Sequence, residues 1–145
     1  MLQLRALDGV HDGGDISELA HALQTATRAQ RAGADDELLL GALLHDVGKV
    51  FGDIAHGDIS AAFLAPHVRP EVVEVVRHHP AFTASHWDPS LKGDADPRRA
   101  FADEPWFGLA SQFVDEWDMQ SFDPTYDSLS LDDFEPLVLR LVTGA

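Results

Sequence analysis

The sequence predicts an all-α protein, a compact bundle of about six helices. Three observations predict it. Apolar residues recur at three- and four-residue spacing in segment after segment. Capping residues, glycines and prolines punctuate those segments as helix starts and stops. No region shows the period-two alternation of a half-buried strand. The 145 residues suit one domain, taken as 1–145, and can bury a core without disulfide staples. No repeat, low-complexity tract or linker divides them.

The elements follow in order. Gly13 and Gly14 give the segment 1–14 the backbone freedom of a mobile N-terminal lid, or equally of an ordinary loop. Asp15 or Ser17 caps a first helix running to Arg31, with Ile16, Leu19, Ala20, Leu23, Ala26 and Thr27 at helical spacing and Gly33 as its stop. A second helix opens at Asp35, Asp36 and Glu37, where acids favour the helix N-terminus. It runs through Leu38–Leu44 to a stop near Gly48, and its apolar character on nearly every side marks it as the central buried helix. A third spans about Ile54 to Ala65 and halts at Pro66. Pro70 suits the first turn of a fourth, Val72–His79; its valines alone would also suit a strand. Pro80, Pro89, Gly93 and Pro97 then read as a loop. Trp106–Met119 and Leu131–Val142 are the fifth and sixth helices, the last tolerating Pro136 near its start.

Composition excludes several function classes. The formal net charge is −15, which repels phosphate backbones, so no nucleic-acid partner is expected. With no cysteine there are no disulfides, iron–sulfur clusters or thiolate zinc sites. No apolar run approaches the ~20 residues of a membrane span, and Met1–Arg5 lacks the apolar core of a signal peptide. No membrane partner and a cytoplasmic location are the expectations.

The chemistry concentrates at His45-Asp46, at the end of the buried helix. A buried carboxylate costs several kcal/mol unless it is paired or metal-bound. Alone, the dipeptide reads equally as a capping aspartate beside a buried histidine. It is not alone: His21 lies on the preceding helix, His56 opens the following one, His78 and His79 close the fourth, and Asp118 lies late in the fifth. Helices around a common centre can aim such residues inward. Imidazole and carboxylate suit iron, manganese or zinc, and one aspartate can bridge two ions through its two oxygens.

The order His, His-Asp, Asp resembles the HD superfamily of metal-dependent enzymes. It is most similar to the oxygenase branch, that of myo-inositol oxygenase and the phosphonate-cleaving enzymes. The segments that carry the resemblance are His21–Ala26, Gly41–Val50, Val76–His79 and Trp117–Pro124, with a looser likeness over Asp127–Leu141. The resemblance implies that His21, His45, Asp46 and Asp118 bind one metal, and that Asp46, as the bridge, binds a second together with His56 and His79. His79 is preferred to His78 because it takes the position of the family's single histidine. Lys49 corresponds to the family's substrate-contacting lysine, although a cation here would also complement the helix dipole. His86 falls near a substrate-contacting stretch, and an exposed loop residue is its slightly favoured reading.

The chain departs from these relatives in three ways. It is much shorter than inositol oxygenase, Pro80–Ser85 has no lysine, and His11–Asp15 replaces the lid's tyrosine and glutamate. Neither known substrate is therefore carried over. The resemblance implies two Fe ions as an Fe(II)/Fe(III) pair, with Mn, Co or Zn as alternatives. It implies O2 and a small polar hydroxyl-bearing molecule as partners. The alternative is a two-metal phosphohydrolase acting on a nucleotide or phosphate monoester, for which 10 Lys and Arg offer few phosphate-cradling cations. Arg98 and Arg99 are the most clustered of them. A third reading is a non-catalytic metal-dependent module.

Overall fold

A computed structural model describes residues 1–11 and 14–144, and every regular element among them is helical. Seven α-helices follow in order: α1 Leu2–Ala6, α2 Glu18–Arg31, α3 Asp36–Leu44, α4 His56–Leu64, α5 Pro70–Trp87, α6 Phe107–Gln112 and α7 Leu131–Val138. The all-α expectation holds. No helix of the described residues is long and apolar enough to cross a membrane.

Local chemistry sets the starts. Ser17 Oγ accepts the Ala20 N–H at 3.1 Å, so Ser17 rather than Asp15 caps α2. Asp35 caps α3 through the Leu38 N–H at 3.0 Å. Ser130 and Asp133 form a reciprocal capping box at α7. The residues Leu38–Leu43 of α3 are all buried, and the helix packs against α2, α4, α5 and α7. Around it Leu64, Val72, Val75, Val76, Phe82 and Phe113 are fully buried. A core leucine of this kind typically contributes about 2–5 kcal/mol.

The structure departs from the expected elements in four places. Leu2–Gly9, within the segment expected to be a lid, forms α1 and a 3₁₀ turn whose Leu4 and Leu7 are buried in the core. Gly13 lies outside the described residues. α3 ends at Leu44, and Val47–Phe51 forms a separate 3₁₀ turn laid on α4, so closely that a Cβ at Gly48 would collide with the His56 carbonyl. α5 does not stop before Pro80 but runs on to Trp87. Burial of Phe82 and Ser85 outweighs the proline's penalty. Finally, α6 widens into a π turn, Phe113–Trp117, and tightens into a 3₁₀ turn, Asp118–Gln120.

Candidate metal centre

His21 lies in the first turn of α2, and His45-Asp46 follows the last residue of α3. His56 opens α4, His79 lies inside α5, and Asp118 sits where the π turn gives way to the 3₁₀ turn. Their side chains converge. His21 Nε2 is 2.9 Å from Asp118 Oδ1 and 3.2 Å from His45 Nε2, which lies 3.1 Å from Asp46 Oδ2. On the other side of the same carboxylate, Asp46 Oδ1 is 3.2 Å from His56 Nε2 and 3.1 Å from His79 Nε2. Two groups result: His21, His45, Asp46 and Asp118, with donor atoms within 4.8 Å of one another, and Asp46, His56 and His79, equally close. Asp46 belongs to both, one oxygen to each.

Every ring in the two groups is held from behind. Nδ1 of His21 donates to the Ser121 carbonyl at 2.9 Å, His45 to Ala42 at 2.7 Å, His56 to Asp53 at 2.9 Å and His79 to Val76 at 2.6 Å. A carbonyl can only accept, so each Nδ1 carries its proton and each neutral ring presents an Nε2 lone pair inward. Facing lone pairs 3.2 Å apart (His21 and His45) and 3.3 Å apart (His56 and His79) repel unless a cation lies between them. Asp118 Oδ2 is buried with no hydrogen-bond partner. Converging neutral imidazoles, a shared carboxylate and an unpaired carboxylate oxygen fit two metal ions. The all-nitrogen-and-oxygen donor set suits iron, manganese, cobalt or zinc.

Without metal, protons take the role of cation. Burial opposes charge on His45, but Asp46 and Asp118 beside it hold its pKa well above the ordinary value. His21 and His56 are raised in the same way, by Asp118 and Asp46 respectively. For His79 burial prevails and the pKa falls. Burial also opposes ionisation of Asp46 and Asp118, yet the neighbouring His45 holds both below the carboxylate range.

Residues 19–104 match the HD domain family. The chain belongs to the HD domain family. No curated protein matches the sequence significantly. HD-domain proteins are metal-dependent enzymes. In this HD-domain protein the matched segment holds every residue of the two groups except Asp118, which the C-terminal part of the chain adds.

That addition rests on specific bonds between α2 and the chain beyond Asp118. Besides the His21–Ser121 bond, the Gln24 amide donates to the Asp123 carbonyl at 2.7 Å and accepts the Asp123 N–H at 3.3 Å. Thr27 Oγ1 accepts the Leu129 N–H at 3.0 Å. The segments around His21 and Trp117 therefore form one unit. The Phe122 ring stacks on His21 at 4.3 Å.

A cavity of about 100 Å³ opens on Asp46, His56, His79 and Asp118, with Lys49, Thr83 and Trp87 at its wall. A second, of about 420 Å³, shares His21, Trp87, Met119 and Phe122 with the first and adds Asp15, Ile16 and Glu18. Lys49 is the one Lys or Arg lining either cavity among the described residues. Its Nζ is 3.1 Å from Glu18 Oε1 and 3.5 Å from Asp46 Oδ2.

Two expected roles fare differently. His78 turns away, 3.2 Å from Glu74 and stacked on Trp106, and leaves His79 to face Asp46. The structure does not bring His86 to either cavity. It donates to Asp115 at 2.7 Å, a carboxylate that Arg98 also grips at 2.9 and 3.0 Å, because the continuation of α5 beyond Pro80 carries it past the site.

Sequence reasoning missed Glu18. It is buried, its Oε2 has no hydrogen-bond partner, and burial together with Asp46 raises its pKa. It reads as an ordinary first-turn acid of α2, but its three-residue spacing from His21 puts both on one helix face and was the available signal.

Proposed function

We propose that this HD-domain protein is a di-iron oxygenase acting on a small, polar, hydroxyl-bearing molecule. The observation that carries the two-metal part is Asp46, whose oxygens face separate donor sets. His21, His45, Asp46 and Asp118 would hold one ion, and Asp46, His56 and His79 the other. When bound, a mixed-valence Fe(II)/Fe(III) pair supplies O2 activation and removal of hydrogen from a C–H bond.

The chain's own residues do the rest. The four-donor set has His45 fully buried behind it and brings His21, Asp46 and Asp118 to the cavity wall. Asp46, His56 and His79 of the three-donor set line the same cavity, and an ion held there by fewer protein donors would have more room for outside molecules. Lys49 sits within reach of the shared carboxylate and offers an ammonium to a substrate oxygen. Trp87, Met119 and Phe122 wall the approach with apolar surface, which excludes water from the reacting groups. The likeness of the four quoted segments to the oxygenase branch supports O2 chemistry. So does a cavity in which Lys49 is the one Lys or Arg among the described residues, a poor cradle for phosphate.

The test is anaerobic purification with iron, a metal count, and an EPR spectrum after partial oxidation. Two irons per chain with a low-temperature signal of a coupled Fe(II)/Fe(III) pair, and O2 uptake with small diols or hydroxyphosphonates, are expected. Two metals without that state, together with phosphatase activity on Mn or Co, would replace the oxygenase reading by a phosphohydrolase.

A further inference from the structure

The proline inside α5 lies beside a candidate ligand. Pro80 follows His79, and a proline has no N–H to give the carbonyl four residues before it, here that of Val76. That carbonyl accepts the His79 Nδ1–H at 2.6 Å, the shortest of the four bonds that hold the histidine rings. His45 uses the same three-residue step to Ala42, but there the carbonyl is free because α3 ends at Leu44. In α5 the helix continues to Trp87, so the proline does in mid-helix what a helix end does for His45.

Pro80 also touches the other half of the same donor set. A Cβ built on Gly57 would lie 3.2 Å from both Cγ and Cδ of Pro80 and 2.6 Å from the Arg77 carbonyl. The pyrrolidine ring is therefore seated on the backbone of α4, one residue from His56.

We infer that Pro80 is a positioning residue for the His56–His79 metal set: it releases the Val76 carbonyl to fix the His79 ring and seats α4 beside it. The inference rests on the two-metal reading above. An alanine at 80 would restore an N–H that competes for the Val76 carbonyl and would remove the ring that meets Gly57. Partners that orient a metal-ligating ring are typically worth 10–100-fold in metal affinity.

The experiment is a stepwise Zn²⁺ titration against a chromophoric chelator, on the full chain, for the natural protein, Pro80→Ala and Pro136→Ala. The last removes another intrahelical proline, exposed and in α7, which carries no residue of the donor sets. Pro80→Ala is expected to bind one Zn²⁺ as the natural protein does and the second about 10–100-fold more weakly. Its metal-free Tm should be equal or higher, since alanine suits a helix interior better than proline. Pro136→Ala should bind both ions normally. In the Zn²⁺-loaded natural protein, the His79 Nδ1–H should give a downfield proton resonance that Pro80→Ala shifts or broadens. Unchanged affinity for the second ion in Pro80→Ala would overturn the inference. So would weaker binding accompanied by a lower metal-free Tm or lost helical signal, because the role would then be structural. A natural protein that takes up only one Zn²⁺ would instead overturn the two-metal reading, and that result is visible before any variant is made.

Discussion

The two donor sets share a carboxylate but are built differently. The four-donor set draws on α2, α3 and the turn after α6, and its histidines and Asp118 are 0–4% exposed in their side chains. Bonds from His21, Gln24 and Thr27 to the chain at 121–129 tie its walls together. The three-donor set is local, made within residues 46–79, and opens to solvent at His56, whose side chain is 16% exposed. His56 follows Ala55, a non-glycine residue in the left-handed region at φ 60°. A strained residue persists only where its surroundings over-determine it, here the contact of the Val47–Phe51 turn with α4. One set is therefore braced across the length of the chain, and the other is local and reaches solvent at His56.

The largest predicted effect erases the contrast. Asp46→Ala should bring bound metal close to zero per chain by elemental analysis, with the helical circular-dichroism signal retained. Full metal content in that variant would refute the shared-carboxylate arrangement. Next, single-ligand variants should separate the sets. His56→Ala should keep about one ion, held by the four-donor set, whereas His45→Ala should lose that ion. The second loss should also lower stability by about 3–5 kcal/mol in the metal-free protein, the usual effect of breaking a buried charged pair. Equal metal loss in both variants would mean that the sets act as one.

A pH profile sharpens the comparison. His21, His45 and His56 have raised pKa values in the metal-free chain, so the stability they bring is complete below about pH 6.5 and lost as pH rises through their folded values. Asp46 and Asp118 are lowered, so theirs is present above about pH 4 and lost as pH falls through their folded values. His79, lowered by burial, opposes the other rings. The metal-free Tm should peak between about pH 4 and 6.5. Stabilisation by metal should grow as pH rises, because binding displaces protons. A metal-free Tm that climbs from pH 6 to 8 would contradict the protonated-ring account.

Smaller effects lie at the rim. Lys49→Met should leave both ions bound, raise KM for substrate, and destabilise by about 1–3 kcal/mol through the carboxylates of Glu18 and Asp46 that it leaves behind. The smallest effect belongs to His86→Ala, expected within about 0.5 kcal/mol of the natural stability and with unchanged metal content. Altered metal binding in that variant would restore His86 to the site.

Much of this was legible in the residues. Capping residues and apolar spacing placed α2 and α3, and α4, α6 and α7 also fall near the segments read as helices. Histidines beside apolar stripes marked where helices converge. What stayed hidden was whatever depends on tertiary override. α1 is only five residues long, too short for its period to show, and Leu4 reveals itself only by burial. Pro80 reads as a helix stop, and nothing local shows that packing of Phe82 carries the helix through it. Glu18 was hidden for the opposite reason, because a first-turn acid is commonplace.

The bond between His21 and the Ser121 carbonyl joins residues a hundred positions apart in the chain. Closing such a span costs more chain entropy than closing a short one. The three-donor set, by contrast, is complete within residues 46–79. A nascent chain emerging in order would thus have its whole three-donor set before the Asp118 and Ser121 that complete the other had been made. Metal held by the four-donor set would then be a checkpoint: a chain that can retain it has brought its last third home.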